Sequence, residues 1–257
     1  MSVIAASLPA ALRAYAETRP TRVALRDKQF GIWNEITWEQ YWTHVISVGH
    51  ALGEFGVDTG AHVAILADNR PEWLYVDLAT QGLGARSVGI YQTNPADDVA
   101  YVINHSGARI LFAEDQEQAD KIIEIGDGAP GLEHVILFDP RGTQHYEDPR
   151  LSSWESFLAR GRELAEQAKG WFSERVDAMD TKAPSMVVYT SGTTGQPKGA
   201  MISNYNVMEL GLEAAEFLGV SEHDYLLSYL PLCHVAEKIF SLFLPMSVGA
   251  VVHFGES

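Results

Sequence analysis

Ser185-Met-Val-Val-Tyr189 runs without a break into Thr190-Ser191-Gly192-Thr193-Thr194-Gly195-Gln196-Pro197-Lys198-Gly199. The first five residues form a short apolar run, the pattern of a buried strand. In the ten that follow, three glycines let the backbone turn tightly and approach a ligand closely. Consecutive N–H groups in such a turn make an anion-binding concavity. Four hydroxyls add neutral donors, Lys198 adds one positive charge and Pro197 stiffens the exit. A helix is expected next, capped by Ser203 or Asn204, with Val207, Leu210, Ala214 and Phe217 on one face. A bend at the carboxyl end of a strand in an α/β sheet is where ligands bind in such folds. The physics therefore points to polyphosphate. A flexible linker has a similar composition, but linkers rarely join a buried strand directly to a helix, and flexibility needs no Pro-Lys-Gly exit. The spacing is neither the common Gly-Lys-Ser/Thr phosphate loop nor a dinucleotide fingerprint.

Upstream, strand-like and helix-like segments alternate. Thr37 and Gln40 form a capping box, and Trp38, Tyr41, Val45, Val48, Leu52 and Phe55 repeat at helical spacing until Gly56. His62–Leu66 reads as a buried strand, and Pro71 opens a helix over 72–81. Ser87–Tyr91 reads as a strand, followed by a helix capped by Thr93 or Asn94, starting at Pro95 and ending near Gly107. Its acidic pair Asp97-Asp98 complements the helix dipole. Arg109–Ala113 is the next strand, 115–125 the next helix and Val135–Phe138 another strand. The stretch 139–150 reads as a loop. Ser152 and Glu155 then suggest a capping box for a helix to about Lys169. Strands joined by single helices imply crossover connections and a mainly parallel sheet. The polar stretch 173–184 marks the expected boundary, with a first α/β subdomain over 1–180 and the start of a second over 181–257.

The chain has 257 residues and a formal net charge of −16. Such acidity repels polyanions and argues against nucleic acid as a partner, yet leaves room for a nucleotide held locally by backbone N–H groups and one lysine. The one cysteine, Cys233, excludes an intrachain disulfide and fits a cytoplasmic setting. The amino terminus lacks a basic leader and a long apolar core. Leu8, Ala11, Leu12 and Tyr15 fall instead on one face of an amphipathic surface helix. The apolar stretch Ile239–Phe254 is shorter than the roughly 20 residues a spanning helix needs, and Pro245 and Gly249 interrupt it.

The segment Tyr189–Gly199 resembles the phosphate-loop motif of the adenylate-forming superfamily, with no departure at its Ser, Thr, Gly or Lys positions. Ser228–Lys238 resembles the superfamily's Leu-Pro-x-x-His region, and Gly84–Tyr91 and Asn104–Arg109 resemble its upstream region. His234-Val-Ala-Glu237 and the ending Val252–Ser257 look most like the long-chain fatty acyl-CoA synthetases. The resemblance covers nearly the whole chain. It implies mainly parallel sheets flanked by helices, as two incomplete subdomains of the large domain, without the small carboxyl-terminal domain. It implies that Thr190, Ser191, Gly192, Thr193, Thr194, Gly195 and Lys198 surround the β- and γ-phosphates of ATP. Lys198 would offset charge on the leaving pyrophosphate, and His234 would sit at the acyl-binding site, near the carboxylate or adenylate.

The implied reaction forms an acyl-adenylate from a fatty acid and ATP with Mg2+, then an acyl thioester with coenzyme A. Peripheral contact with the inner face of a membrane would suit such substrates. The Tyr-Gly-x-Thr-Glu and Thr-Gly-Asp segments of the superfamily are absent, as is its late catalytic lysine. The 257 residues alone are therefore expected to form no acyl-adenylate at a useful rate, and an unpaired sheet edge is expected to favour self-association. A ligase for another carboxylate, or a non-catalytic nucleotide-binding or interaction module, are the competing readings.

Outside the loop, several residues admit two readings. Without the resemblance, His234 is a helix-end histidine satisfied by backbone. Cys233 reads as packing, because adjacent helical residues point about 100° apart and do not face each other. Glu237-Lys238 is either a family-specific pair or a solvated helix face. Trp73 and Tyr75 suit core packing. Phe240 and Phe243 read by default as core and alternatively as lining of an acyl tunnel. The other histidines show no metal-ligand spacing.

Overall fold

The computed structural model describes residues 5–190 and 196–256. Helix α1 (Leu8–Thr18) is capped by Ser7, and Leu8, Ala11, Leu12 and Tyr15 are fully buried. A hairpin follows, β1 (Val23–Gln29) and β2 (Ile32–Thr37), turned by Phe30 and Gly31 at positive φ. The expected capping box of Thr37 and Gln40 is present at the start of α2 (Trp38–Glu54). Then come β3 (His62–Leu66), α3 (Pro71–Gly82), β4 (Arg86–Ile90), α4 (Ala96–Ser106), β5 (Ile110–Ala113), α5 (Gln116–Ile125) and β6 (His134–Leu137). Helix α4 starts one residue later than expected. Pro95 stands at the N-cap and no side chain caps it. The short β7 (Leu151–Ser153) leads into α6 (Trp154–Gln167), whose cap is Ser153 accepting from the Ser156 N–H, rather than the Ser152–Glu155 box.

The polar stretch after α6 is not a linker. Its first half is helix α7 (Trp171–Ala178), and Phe172 and Val176 anchor it in the core. A β-carbon at Gly49 or Gly82 would lie 2.3 or 2.4 Å from the Phe172 ring. Two missing side chains thus make the slot that buries one phenylalanine, a burial worth about 1.5–3 kcal/mol. Next, β8 (Pro184–Thr190) and β9 (Lys198–Ser203) form a second hairpin, before α8 (Asn204–Leu218) capped by Ser203. The chain continues through β10 (Tyr225–Ser228), α9 (Val235–Lys238), a π turn over Ile239–Phe243, α10 (Leu244–Val248) and β11 (Val251–Phe254).

The strands make a seven-stranded sheet in the order β7-β6-β5-β3-β4-β8-β9 and a four-stranded sheet in the order β10-β11-β1-β2. Every pairing is parallel except the β1–β2 and β8–β9 hairpins. Sheet membership does not divide at residue 181. Strands β8 and β9 extend the first sheet, because the apolar Met186–Val188 run needs cover on both faces and finds it beside β4. The early hairpin β1–β2 joins the late strands β10 and β11 instead.

Strand pleating sorts the interior. Val63, Ile65 and Met186 point into a large core that includes α1, α2, α3, α6 and α7 and continues to Leu25, Phe243, Val252 and Phe254 under the small sheet. Ala64, Leu66, Val187 and Tyr189 point to the opposite face, under α4 and α5.

Candidate functional site

Strand β8 carries the polyphosphate motif to the carboxyl end of the seven-stranded sheet. Thr190 is its last residue and pairs directly with Lys198, the first residue of β9. The candidates Ser191, Gly192, Thr193, Thr194 and Gly195 lie outside the described residues. Side chains alternate along β8: Met186 enters the large core while Val187 and Tyr189 enter the other. Val188 and Thr190 therefore share the Met186 face, and Lys198, opposite Thr190, shares it too. Both residues are exposed. Helix α4 braces the hairpin from behind. The Tyr101 hydroxyl donates to the Pro197 carbonyl at 2.9 Å, and one turn later His105 shares a 2.8 Å hydrogen bond with the Tyr189 hydroxyl. Burial, with the nearby Tyr101 as a second cause, pushes the Tyr189 phenol above its ordinary range.

The segment from Ser228 to His234 reaches the same end of the sheet from the other side. Asn69, just past the end of β3, clasps it with all three polar contacts of its amide. Its Nδ2 donates to Ser228 Oγ at 2.8 Å and to the Leu230 carbonyl at 2.6 Å, and its Oδ1 accepts from the Leu232 N–H at 2.8 Å. Cys233 rests on β4 at Gly89, where a β-carbon would lie 2.8 Å from both Cα and Cβ of Cys233. Gly89 is in register with Val188 of β8. The cysteine thus sits on the Thr190–Lys198 face, one strand over and two residues below Thr190. Its thiol is buried, and desolvation pushes its pKa up to about 12. It packs and forms no thiol–imidazole pair.

His234 is exposed and stands at the N-cap of α9, its Nδ1 accepting from the Ala236 N–H at 3.1 Å. A neutral ring in this arrangement carries its proton on Nε2, which leaves a donor for a ligand. The backbone-satisfied helix-end reading of His234 is thus present, and it occupies only one of the two ring nitrogens.

Glu237 and Lys238 correct the solvated-face alternative, because both are fully buried. Lys238 Nζ donates to Asp77 Oδ2 of α3 at 2.8 Å and lies 4.4 Å from the centroid of the Trp73 ring. Asp77 Oδ1 in turn accepts from Gln81 at 2.8 Å and Ser87 at 2.5 Å. Glu237 accepts from Ser228 Oγ at 2.7 Å, from the Tyr229 and Leu230 N–H groups at 3.2 and 3.0 Å, and from Ser241 Oγ. Phe243 is core, whereas Phe240 is 40% exposed.

Among the described residues no group of three or more His, Cys, Asp or Glu could hold a metal ion. A cavity of about 220 Å³ opens at the amino-terminal ends of β4 and β8, lined by Ala85, Ser185, Gln81 and Arg175, at the opposite end of the sheet from Thr190 and Lys198. No described helix is long and apolar enough to cross a membrane.

Residues 12–257 match the AMP-binding enzyme family. The chain belongs to that family. Among curated relatives of this AMP-binding chain, the long-chain-fatty-acid–CoA ligase ACSBG2 of Xenopus laevis is 29% identical over 238 residues, covering 91% of this chain and 32% of that protein. The ligase ACSBG1 of Bos taurus is 30% identical over 237 residues, covering 91% and 32%. The chain thus spans about a third of the length of these relatives. Among solved structures, the A-PCP didomain of carboxylic acid reductase from Segniliparus rugosus, in complex with AMP, superposes with a TM-score of 0.79 at 19% identity, over 98% of this chain and 38% of that one. The inhibitor-bound N-terminal domain of FACL13 from Mycobacterium tuberculosis gives 0.78 at 21%, over 99% and 57%. At these identities the structures speak to the fold: mainly parallel sheets flanked by helices, shared with AMP-binding enzymes.

In this member of the family, Thr190, Lys198 and His234 come to one face at one end of the sheet. The sequence assigns no role to Tyr101 and His105 behind the hairpin or to Asn69 behind the histidine segment, and marks Glu237 only as family-specific or solvated. Asn69 has a legible signal, being a polar residue just past the carboxyl end of a buried strand. Glu237 is marked in the sequence only by the His234-Val-Ala-Glu237 form; its role is not legible, because its partners lie in two separate stretches, 228–230 and 241.

Proposed function

We propose that this chain supplies the nucleotide-phosphate site of an ATP-dependent long-chain fatty acid–CoA ligase. The observation that carries the reading is the pairing of exposed Thr190 with exposed Lys198, the two described candidates of the motif, with His234 on the same face. In the first step a fatty-acid carboxylate oxygen attacks the α-phosphorus of ATP, and the bond to the bridging oxygen breaks to release pyrophosphate. In the second, the thiol of coenzyme A loses its proton, attacks the acyl carbon and expels AMP.

Thr190, Ser191, Gly192, Thr193, Thr194 and Gly195 are assigned to the β- and γ-phosphates through hydroxyls and backbone N–H groups. Lys198 offsets the charge that grows on the leaving pyrophosphate. His234, with Nε2 as a donor, is assigned to the acyl carboxylate. Magnesium would enter with the nucleotide and supply charge neutralisation at its phosphates, and no described residue is assigned to hold it. No described residue is assigned to coenzyme A.

The test is calorimetric titration of MgATP into the 257-residue chain and its Lys198→Ala variant. A charge-assisted contact worth about 1.5–3 kcal/mol predicts an affinity loss of roughly 10- to 100-fold. Equal affinities would remove Lys198 from the site. ATP–pyrophosphate exchange by the 257 residues alone is expected to be undetectable with palmitate, octanoate and benzoate. Exchange with benzoate alone would favour the ligase for another carboxylate.

A further inference from the structure

Glu237 is a fully buried carboxylate that receives only donors. Its four partners are two serine hydroxyls and two backbone N–H groups. The backbone donors belong to Tyr229 and Leu230, in the segment that ends at His234. Ser228 Oγ, which donates to Glu237, accepts from Asn69 Nδ2, so the two residues share one network. Asn69 then takes the next backbone groups along, the Leu230 carbonyl and the Leu232 N–H. Between them, one carboxylate and one amide satisfy Tyr229, Leu230 and Leu232 in a stretch with neither helix nor strand to do so.

The anchor also reaches the element behind. Pro245 has no N–H to donate, and the turn before it is the wider π turn Ile239–Phe243. Ser241 lies in that turn and donates to Glu237, one turn earlier. On the far side, Cys233 is stopped by Gly89 of β4. The segment is thus held by Glu237, by Asn69 and by the contact of Cys233 with the sheet, and the exposed His234 ring stands at its end.

We propose that Glu237, acting with Asn69, is a positioning residue that fixes the direction of the His234 ring at the phosphate end of the sheet. The functional meaning of that direction rests on the ligase reading above. The geometric claim does not, because it concerns one imidazole. A glutamine at 237 keeps the size but turns one acceptor into a donor, which must face the Tyr229 or Leu230 N–H and leave it unpaired. The segment then loosens, and the Ala236 N–H cap that selects the His234 tautomer is lost with it.

The experiment is long-range proton–nitrogen NMR of the His234 ring at a pH where it is neutral, in the 257-residue chain. The wild type should show one tautomer, with the proton on Nε2. Glu237→Gln and Asn69→Ala should each move the two ring nitrogen shifts toward their mean and speed amide exchange at Leu230 or Leu232 by at least tenfold. Ser247→Ala removes a buried hydroxyl that bonds the Phe243 carbonyl in α10 and touches neither residue, so it should change nothing at His234. An unchanged tautomer in Glu237→Gln, or an equal change in Ser247→Ala, overturns the proposal. Should Glu237→Gln not fold, Asn69→Ala decides alone by the same signals. MgATP affinity is measured on the same samples and should stay within twofold of wild type. A wild-type chain that binds no MgATP would sink the ligase reading and leave the tautomer result standing.

Discussion

Gly89 and Cys233 show how one side chain's absence sets another's chemistry. The backbone of residue 233 can lie on β4 only because position 89 has no β-carbon, and that contact buries the thiol. Burial is the main reason its pKa is pushed up to about 12 from the ordinary 9.0. At pH 8 the folded chain carries almost no thiolate, so iodoacetamide should react roughly 100-fold or more slower than in the unfolded chain. Reaction at the free-thiol rate would refute the packing. The linkage has a definite sign. Between about pH 9 and about 12 the unfolded chain loses this proton while the folded chain keeps it, so stability falls with rising pH across that window. Urea midpoints at pH 8 and pH 10 should therefore fall further for wild type than for Cys233→Ala. That Cys233 packs was legible, though not through helical geometry, since residues 233 and 234 precede α9. That it packs on Gly89 was not, because 144 positions separate the two and no local pattern encodes the contact.

At the scale of elements, helices declared themselves and hairpins did not. Thr37 with Gln40 and Pro71 announced α2 and α3 by local chemistry that the structure reproduces. Strands β1, β2 and β9 carry weak alternation and exposed faces, so period alone does not separate them from loop. Helix α7 looked polar because its two buried anchors fit a slot made elsewhere. The tie between α3 and α9 was equally hidden. Asp77 and Lys238 meet as a fully buried pair across 161 positions. Removing one partner strands the other charge, so Lys238→Met should cost about 3–5 kcal/mol in a urea titration. The double variant Asp77→Asn with Lys238→Met should lose less than that single variant. A single-variant loss below about 1 kcal/mol would mean the pair is solvated in solution.

At the scale of the whole molecule, several large apolar side chains stand exposed to solvent. Phe217, Tyr225, Leu227 and Tyr229 are between 57% and 89% exposed, and they lie on α8, on β10 and just beyond it. Strand β10 is an edge of the four-stranded sheet, with a row of backbone groups open to pairing. Apolar area beside an open edge predicts concentration-dependent association. Light scattering should show apparent mass rising with concentration, and Leu227→Lys should suppress the rise. A constant monomer mass for wild type would count against the surface being sticky.

The amino-acid sequence by itself determined the α/β class and the crossover pattern. Each rests on neighbours within a few positions, where turn chemistry, caps and hydrophobic period are local. Only the tertiary structure decided that β1 and β2 join strands from the chain's far end, and that Thr190, Lys198 and His234 share one face. It alone showed that Glu237 and Lys238 are buried. Those outcomes depend on which distant surfaces meet, and contact between residues far apart in the chain leaves no periodic trace in either segment.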